Sequence, residues 1–296
     1  MKKTLLFFLS IFSFYLERGV CNNVSSIANS DQPPIEGNFA LPGSQQPGPF
    51  LSFGQNIIGK NQLQIDFDPG YLRQNPSSFL TLSTSFLYGL SDTASIFFTL
   101  PVAAKYTDGS NHSSGLSDVN LQGEYAFYDH SNKRATEQAT IVAAITFPTG
   151  SPTKNPPTGN GTYDFFIGST YNRTFVDWLW FISPGINWFA VKNHNLMGTQ
   201  YLYQFGIGKN FQSQRNQFIW SGLLELDGVY SEKNKLSGRT DPNSGGNIIN
   251  ITPSVWYSTQ TLIIQCGVAF PLVQHWYGNQ SKTNYYATAT LTWTID

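Results

Sequence analysis

The sequence predicts an all-β protein, a transmembrane antiparallel β-barrel of about 12 strands. Three observations predict it. Only 12% of the 296 residues are charged, against roughly 25% in ordinary soluble domains, while aromatics reach 15%. Mean hydropathy is -0.22, too polar for a bundle of membrane helices. From about residue 59 onward, strand-length stretches carry apolar residues at every second position. That is the pattern of strands whose alternate side chains face lipid.

The N-terminus sets the compartment. Met1-Lys2-Lys3 is a basic start, and Leu5 to Leu16, "LLFFLSIFSFYL", is an apolar run followed by Glu17-Arg18. The run is too short to span a bilayer as a helix and fits a secretory signal peptide, residues 1–21. "RGVC" is a poor lipid-attachment sequence, so Cys21 is not expected to carry lipid. Cys266 then stands alone as a small apolar strand residue. Residues 22–58 show no sustained period and hold Pro33-Pro34, Pro42, Pro47 and Pro49. They are expected to form a flexible periplasmic arm or a loosely folded plug. Residues 59–296 are expected to form the barrel.

Twelve stretches follow in order. The first is "NQLQIDFDPGYL", with Leu63, Ile65 and Phe67 on one face and Gln62, Gln64, Asp66 and Asp68 on the other. Ser78–Leu90 and Ala94–Tyr106 come next. The fourth, Ser117–Asp129, sets Val119, Leu121, Tyr125 and Phe127 against Asp118, Asn120, Gln122 and Glu124. Gln138–Phe147, Thr162–Thr174 and Trp178–Val191 follow; Pro184-Gly185 in the last predicts a bulge or kink. Thr199–Phe211, Gln217–Ser231, Ile248–Ser258, Thr261–Val273 and Asn284–Ile295 complete the set.

The connections alternate in length. Ser91-Asp92, His130 to Ala135, Val176-Asp177, Gln212 to Arg215 and Thr259-Gln260 are short. Thr107 to Leu116, Thr149 to Gly161, Lys192 to Gly198, Glu232 to Asn247 and Gln274 to Thr283 are longer. Outer-membrane barrels sort their turns this way, tight on the periplasmic side and long outside. Trp178, Trp180, Tyr201, Tyr257 and Trp293 lie near strand ends, where rings with one polar atom suit the membrane interfaces.

Charge decides which face meets lipid. A charged side chain facing lipid at the midplane costs about 2–4 kcal/mol. The acids Asp66, Asp68, Asp118, Glu124, Asp164, Glu225 and Asp227 have the opposite parity to the rings and are expected to line the lumen. Asn120, Gln122, Asn172, Gln204, Asn250 and Gln265 share that inner face, and Lys105 is a further lumen candidate. Arg173 and Lys209 share the parity of the rings but sit near strand ends, where long side chains reach the headgroups. Two interiors fit this pattern. One is an acidic, water-containing lumen that favours neutral or cationic solutes. The other is a closed interior with its acids paired to Lys105 or to the arm.

No covalent chemistry is indicated. His112, His130, His194 and His275 are all expected in turns or loops, and no strand is expected to offer them a serine and an orienting acid. No Cys/His cluster has metal-ligand spacing, so no metal or cofactor is expected. The net charge of -1 gives no sign of nucleic-acid binding.

"GLSDVNLQGEY", Gly115 to Tyr125, resembles the G-x-G-D-x-x-x-x-x-x-Y strand of a bacterial outer-membrane family labelled "transporter" or MetA-pathway of phenol degradation. The resemblance continues through "FPTG", Phe147 to Gly150, and "GNGTYDFFIG", Gly159 to Gly168. It covers Ser91 to Phe189 well and the rest by strand rhythm. Ser117 stands where the family usually has glycine. The chain ends Trp293-Thr294-Ile295-Asp296 rather than on the aromatic that barrel-insertion machinery usually reads. The resemblance implies an outer-membrane barrel passing small, aromatic or hydrophobic compounds. Together these readings predict a passive outer-membrane channel, with lipid, a small solute and the insertion machinery as partners. A surface adhesin and an outer-membrane lipid hydrolase are the alternatives.

Overall fold

A computed structural model describes residues 32–295. The expected signal peptide 1–21, the first part of the expected arm and Asp296 lie outside the described residues. The fifteen strands are β1 Leu63–Gln74, β2 Ser78–Ser91, β3 Ala94–Asp108, β4 Asn111–Leu116, β5 Val119–Ser131, β6 Ala135–Phe147, β7 Asp164–Phe175, β8 Trp178–Phe189, β9 Gln200–Gln214, β10 Phe218–Ser231, β11 Lys235–Leu236, β12 Arg239–Thr240, β13 Gly246–Ser258, β14 Leu262–Trp276 and β15 Thr283–Ile295. Antiparallel neighbours run in order around a ring, and β1 pairs with both β2 and β15, so the sheet closes on itself. β4 and β5 share one stave. β4 pairs with the outer half of β3 and β5 with its inner half, with a break at Ser117-Asp118. This makes a closed barrel of twelve staves. Closure pairs the staves edge to edge around the ring, which is why a barrel can sit in lipid.

Side-chain alternation holds in β5. Tyr125 and Phe127 are exposed on the outside, while Glu124 and Ala126 are buried. Leu121 lies midway along the β4–β5 stave, beside Phe98 and Ile145. Leu121→Arg is expected to cost about 2–4 kcal/mol of membrane stability. On a gel, the variant should lose most of the compact form that unheated barrels show. Retention of that form at the native level would refute the lipid-facing assignment.

Several local expectations are corrected. Thr107 to Leu116 is not a loop: β3 and β4 run on to a tight turn at Gly109-Ser110, so this long connection is strand. Asn75 to Ser77, at the same end, is short as well. Loop length therefore alternates less cleanly than the sequence suggests. No bulge occurs at Pro184. Pairing with β7 lapses there, because proline has no N–H, but Gly168–Gly185 and Tyr171–Ile182 keep one register. Lys105 does not face the interior. A bulge at Ala104 shifts the register between Ala103 and Lys105. Lys105 thereby pairs with the outward Leu80 and is exposed.

Ahead of β1, residues 32–62 form an inner segment. Two short 3-10 turns, Gly37–Phe39 and Gly43–Gln45, cross the end of the barrel that carries the short turns. Asn38 N–H donates to Val176 O, Asn216 N–H to Ala40 O, and Ser258 Oγ to Gln45 O. Ala40 and Leu41 pack on Leu179, Phe181, Ile219, Leu223, Trp256 and Ile263, which point inward from four staves. The chain then enters the barrel and returns to the same end, where Lys60 N–H meets Asp92 and Asn61 N–H meets Gly89 O.

Candidate functional site

The inner segment lacks regular secondary structure from Gln46 to Gly59, so its backbone donors need other partners. The inward acids supply them. Glu225 accepts three successive N–H groups, from Phe50 at 2.5 Å, Leu51 at 3.1 Å and Ser52 at 2.9 Å, and the Ser52 hydroxyl at 3.0 Å. Asp227 accepts the Ser52 hydroxyl at 3.0 Å and Thr252 at 2.7 Å. Glu124 accepts Gln55 and Asn56 N–H at 2.7 and 3.2 Å. Gln204 accepts Phe53 N–H at 3.1 Å. A carboxylate gripping backbone N–H groups is among the stronger neutral–ionic hydrogen bonds.

Shape matches charge. A Cβ at Gly168 would lie 2.5 Å from the Phe53 ring, and one at Gly267 would lie 2.4 Å from the Phe50 ring. Phe53 meets Phe166 edge-on at 4.7 Å between centroids. Gly54 has φ +89°, and a Cβ there would strike Thr170 at 2.2 Å. Wall glycines thus open the recesses that the segment's rings fill.

The segment does not fill the interior. Between it and the β1–β2–β15 side remains a cavity of 590 Å³. Asp66, Asp68, Gln122 and Gln265 line it, with Ser85, Thr99 and Thr290 among them. Asp68 accepts the Thr290 hydroxyl at 2.6 Å. No Lys, Arg or His lines the cavity among the described residues. The one ion pair among those residues is Arg173–Glu137, 3.2 Å, well away on β6 and β7.

The remaining candidates are placed as follows. Asn120 donates to Thr146 at 3.0 Å. Asp164 is buried at the start of β7, Asn172 is half-buried on that strand, and Asn250 pairs with Asp227 across β13 and β10. Asp118 is a correction. It sits in the break between β4 and β5, and its carboxylate is taken up by the 148–163 loop, through Gly150 N–H at 2.8 Å and Asn160 N–H at 2.6 Å. A Cβ at Gly159 would lie 2.2 Å from that carboxylate. The three stretches that carry the family resemblance therefore meet at one point, as a loop clamp. Arg173 lies over the Phe175 ring and Lys209 over the Trp178 ring, both near the short-turn end, consistent with interfacial anchoring.

Sequence reasoning held a plug, with its acids paired to the arm, as one alternative, and the structure takes that form, but it gave neither residues 50–56 as the docked stretch nor backbone N–H groups as the donors. A signal was present: acids on the inner face with no Lys or Arg facing them need donors from somewhere, and the segment supplies unpaired N–H groups.

A closed antiparallel barrel with an aromatic outer surface and a polar interior defines the outer-membrane β-barrel class. No protein-family model and no curated protein matches the chain. Among solved structures it is similar to the COG4313 outer membrane channel from Pseudomonas putida F1, at 14% identity and TM-score 0.65, covering 84% of this chain and 99% of that one. The NanC porin gives TM-score 0.49 at 9% identity, covering 78% of this chain and 100% of that one. The CymD monoaromatic hydrocarbon channel gives 0.41 at 11%, covering 81% and 90%. At these identities the likeness is one of fold. The phenol-degradation label finds no further support in it.

Proposed function

We propose that this chain is a passive outer-membrane channel for small neutral or cationic solutes, with the inner segment setting the bore. The observation that carries this reading is the 590 Å³ polar space left beside the segment, lined by two carboxylates and no cationic side chain. A wall of this kind favours cations over anions by field alone. The family resemblance suggests aromatic or hydrophobic solutes; the hydroxyls, amides and carboxylates facing the cavity favour polar ones. Outer-membrane lipid then solvates the outer face, and the barrel-insertion machinery assembles it.

Planar-bilayer recording tests this. Under a potassium chloride gradient the reversal potential is expected to show potassium preferred over chloride. Liposomes carrying the protein should swell faster in neutral or cationic solutes than in anions of equal size. An anion preference, or no pore at all, would overturn the reading and leave the adhesin alternative in front.

A further inference from the structure

We propose that the cavity beside the inner segment is a binding site for a small organic ammonium ion, held by Asp66 and Asp68 with Gln265 as a further polar contact. The inference deepens the channel reading and rests on it for the ligand's route inward.

Two layers of side chains build the site. β-Sheet register places Gln265 beside Thr290, and Thr290 donates to Asp68, which pairs with Ser83. One layer on, Thr292 pairs with Asp66, and Asp66 with Ser85. Asp66 and Asp68 are two residues apart on β1, so both carboxylates point to the same side of the sheet. The other interior acids have found donors: Glu225 and Glu124 hold backbone N–H groups of the segment. Asp66 and Asp68 hold only the wall hydroxyls of Thr292 and Thr290, and they line the open cavity, whose wall carries no cationic side chain among the described residues. A carboxylate taken from water without a counter-charge is costly, and a cation in the cavity offsets that cost.

Gln265 is an independent observation. It is only 4% exposed, lines the same cavity, and its Nε2 has no hydrogen-bond partner among the described residues. A buried, unpaired amide costs about 1–3 kcal/mol. Its Oε1 is the acceptor that the side chain can offer to an ammonium N–H.

The occupant is an ammonium and not a metal ion. Calcium takes about 6–8 oxygen ligands, whereas no group of three or more His, Cys, Asp or Glu is placed to hold a metal among the described residues. The rings of Tyr286 and Phe97 on the same wall suit an alkyl substituent on the cation. A volume of 590 Å³ falls in the usual range for small organic ligands.

The test uses the full-length barrel purified in detergent, with n-butylammonium as probe and n-butanol and butyrate as neutral and anionic controls. Calorimetry at constant ionic strength should show saturable, one-to-one binding of butylammonium and none of either control. The double variant D66N/D68N should weaken it at least about tenfold, and Q265A less, while both keep the compact form of the folded barrel on a gel. Absence of saturable binding would overturn the proposal. So would equal affinity in D66N/D68N, or equal competition by sodium, which would mark a diffuse counter-ion effect. Bilayer recording on the same preparation separates the two readings. Cation-selective current without butylammonium binding sinks the site and leaves the channel; binding without current sinks the channel and leaves the site.

Discussion

Glu225→Ala is expected to free residues 50–52 from the wall. The substitution removes the acceptor of three backbone N–H groups and one hydroxyl. Charge-assisted bonds contribute about 1.5–3 kcal/mol each, and the Phe50, Leu51 and Ser52 donors would all lose their acceptor. A loss of at least about 3 kcal/mol in local docking corresponds to roughly a 100-fold rise in amide exchange. Hydrogen exchange should therefore speed sharply at these three amides, while amides in the strand ladders stay protected. Single-channel conductance should rise as the segment withdraws. Glu225→Gln keeps one acceptor oxygen and should fall between. Unchanged exchange at Phe50–Ser52 in the alanine variant would show that shape alone holds the segment.

Gly168→Leu should eject the segment by the opposite route. Any side chain on Gly168 meets the Phe53 ring at 2.5 Å and the Phe166 ring at 2.8 Å. Overfilling a packed site typically costs about 1–3 kcal/mol. The variant should make residues near Phe53 open to protease in the folded barrel. Adding Phe53→Ala vacates the recess, so the double variant should lose less docking energy than the two single losses summed. A coupling of about 1 kcal/mol or more is the expected result for groups in contact. Simple additivity would place the Phe53 ring elsewhere.

The strands were legible because lipid and lumen impose a period of two on the chain. All twelve stretches correspond to staves, and the acids Asp66, Glu124 and Glu225 took their inward face from parity alone. Parity fails where a residue is inserted. The bulge at Ala104 turned Lys105 outward, and nothing in the apolar pattern announces it. Asp118 failed for a different reason: alternation runs through it in sequence, but the ladder breaks there and a loop captures its carboxylate. The inner segment was the least legible part. Its contacts join backbone N–H groups to side chains more than a hundred residues away, so it leaves no local period. Only the stranded charge of the wall acids hints at it.

The Glu225 latch also shapes how the two sides of the contact can drift. Its partners at Phe50 and Leu51 are main-chain groups, which nineteen of the twenty residue types carry alike. Exchanging Leu51 for another residue leaves the donor in place, and only proline deletes it. The wall has no such freedom, since a single side chain supplies both acceptor oxygens. Among descendants of this sequence, Leu51 should wander while residue 225 stays acidic.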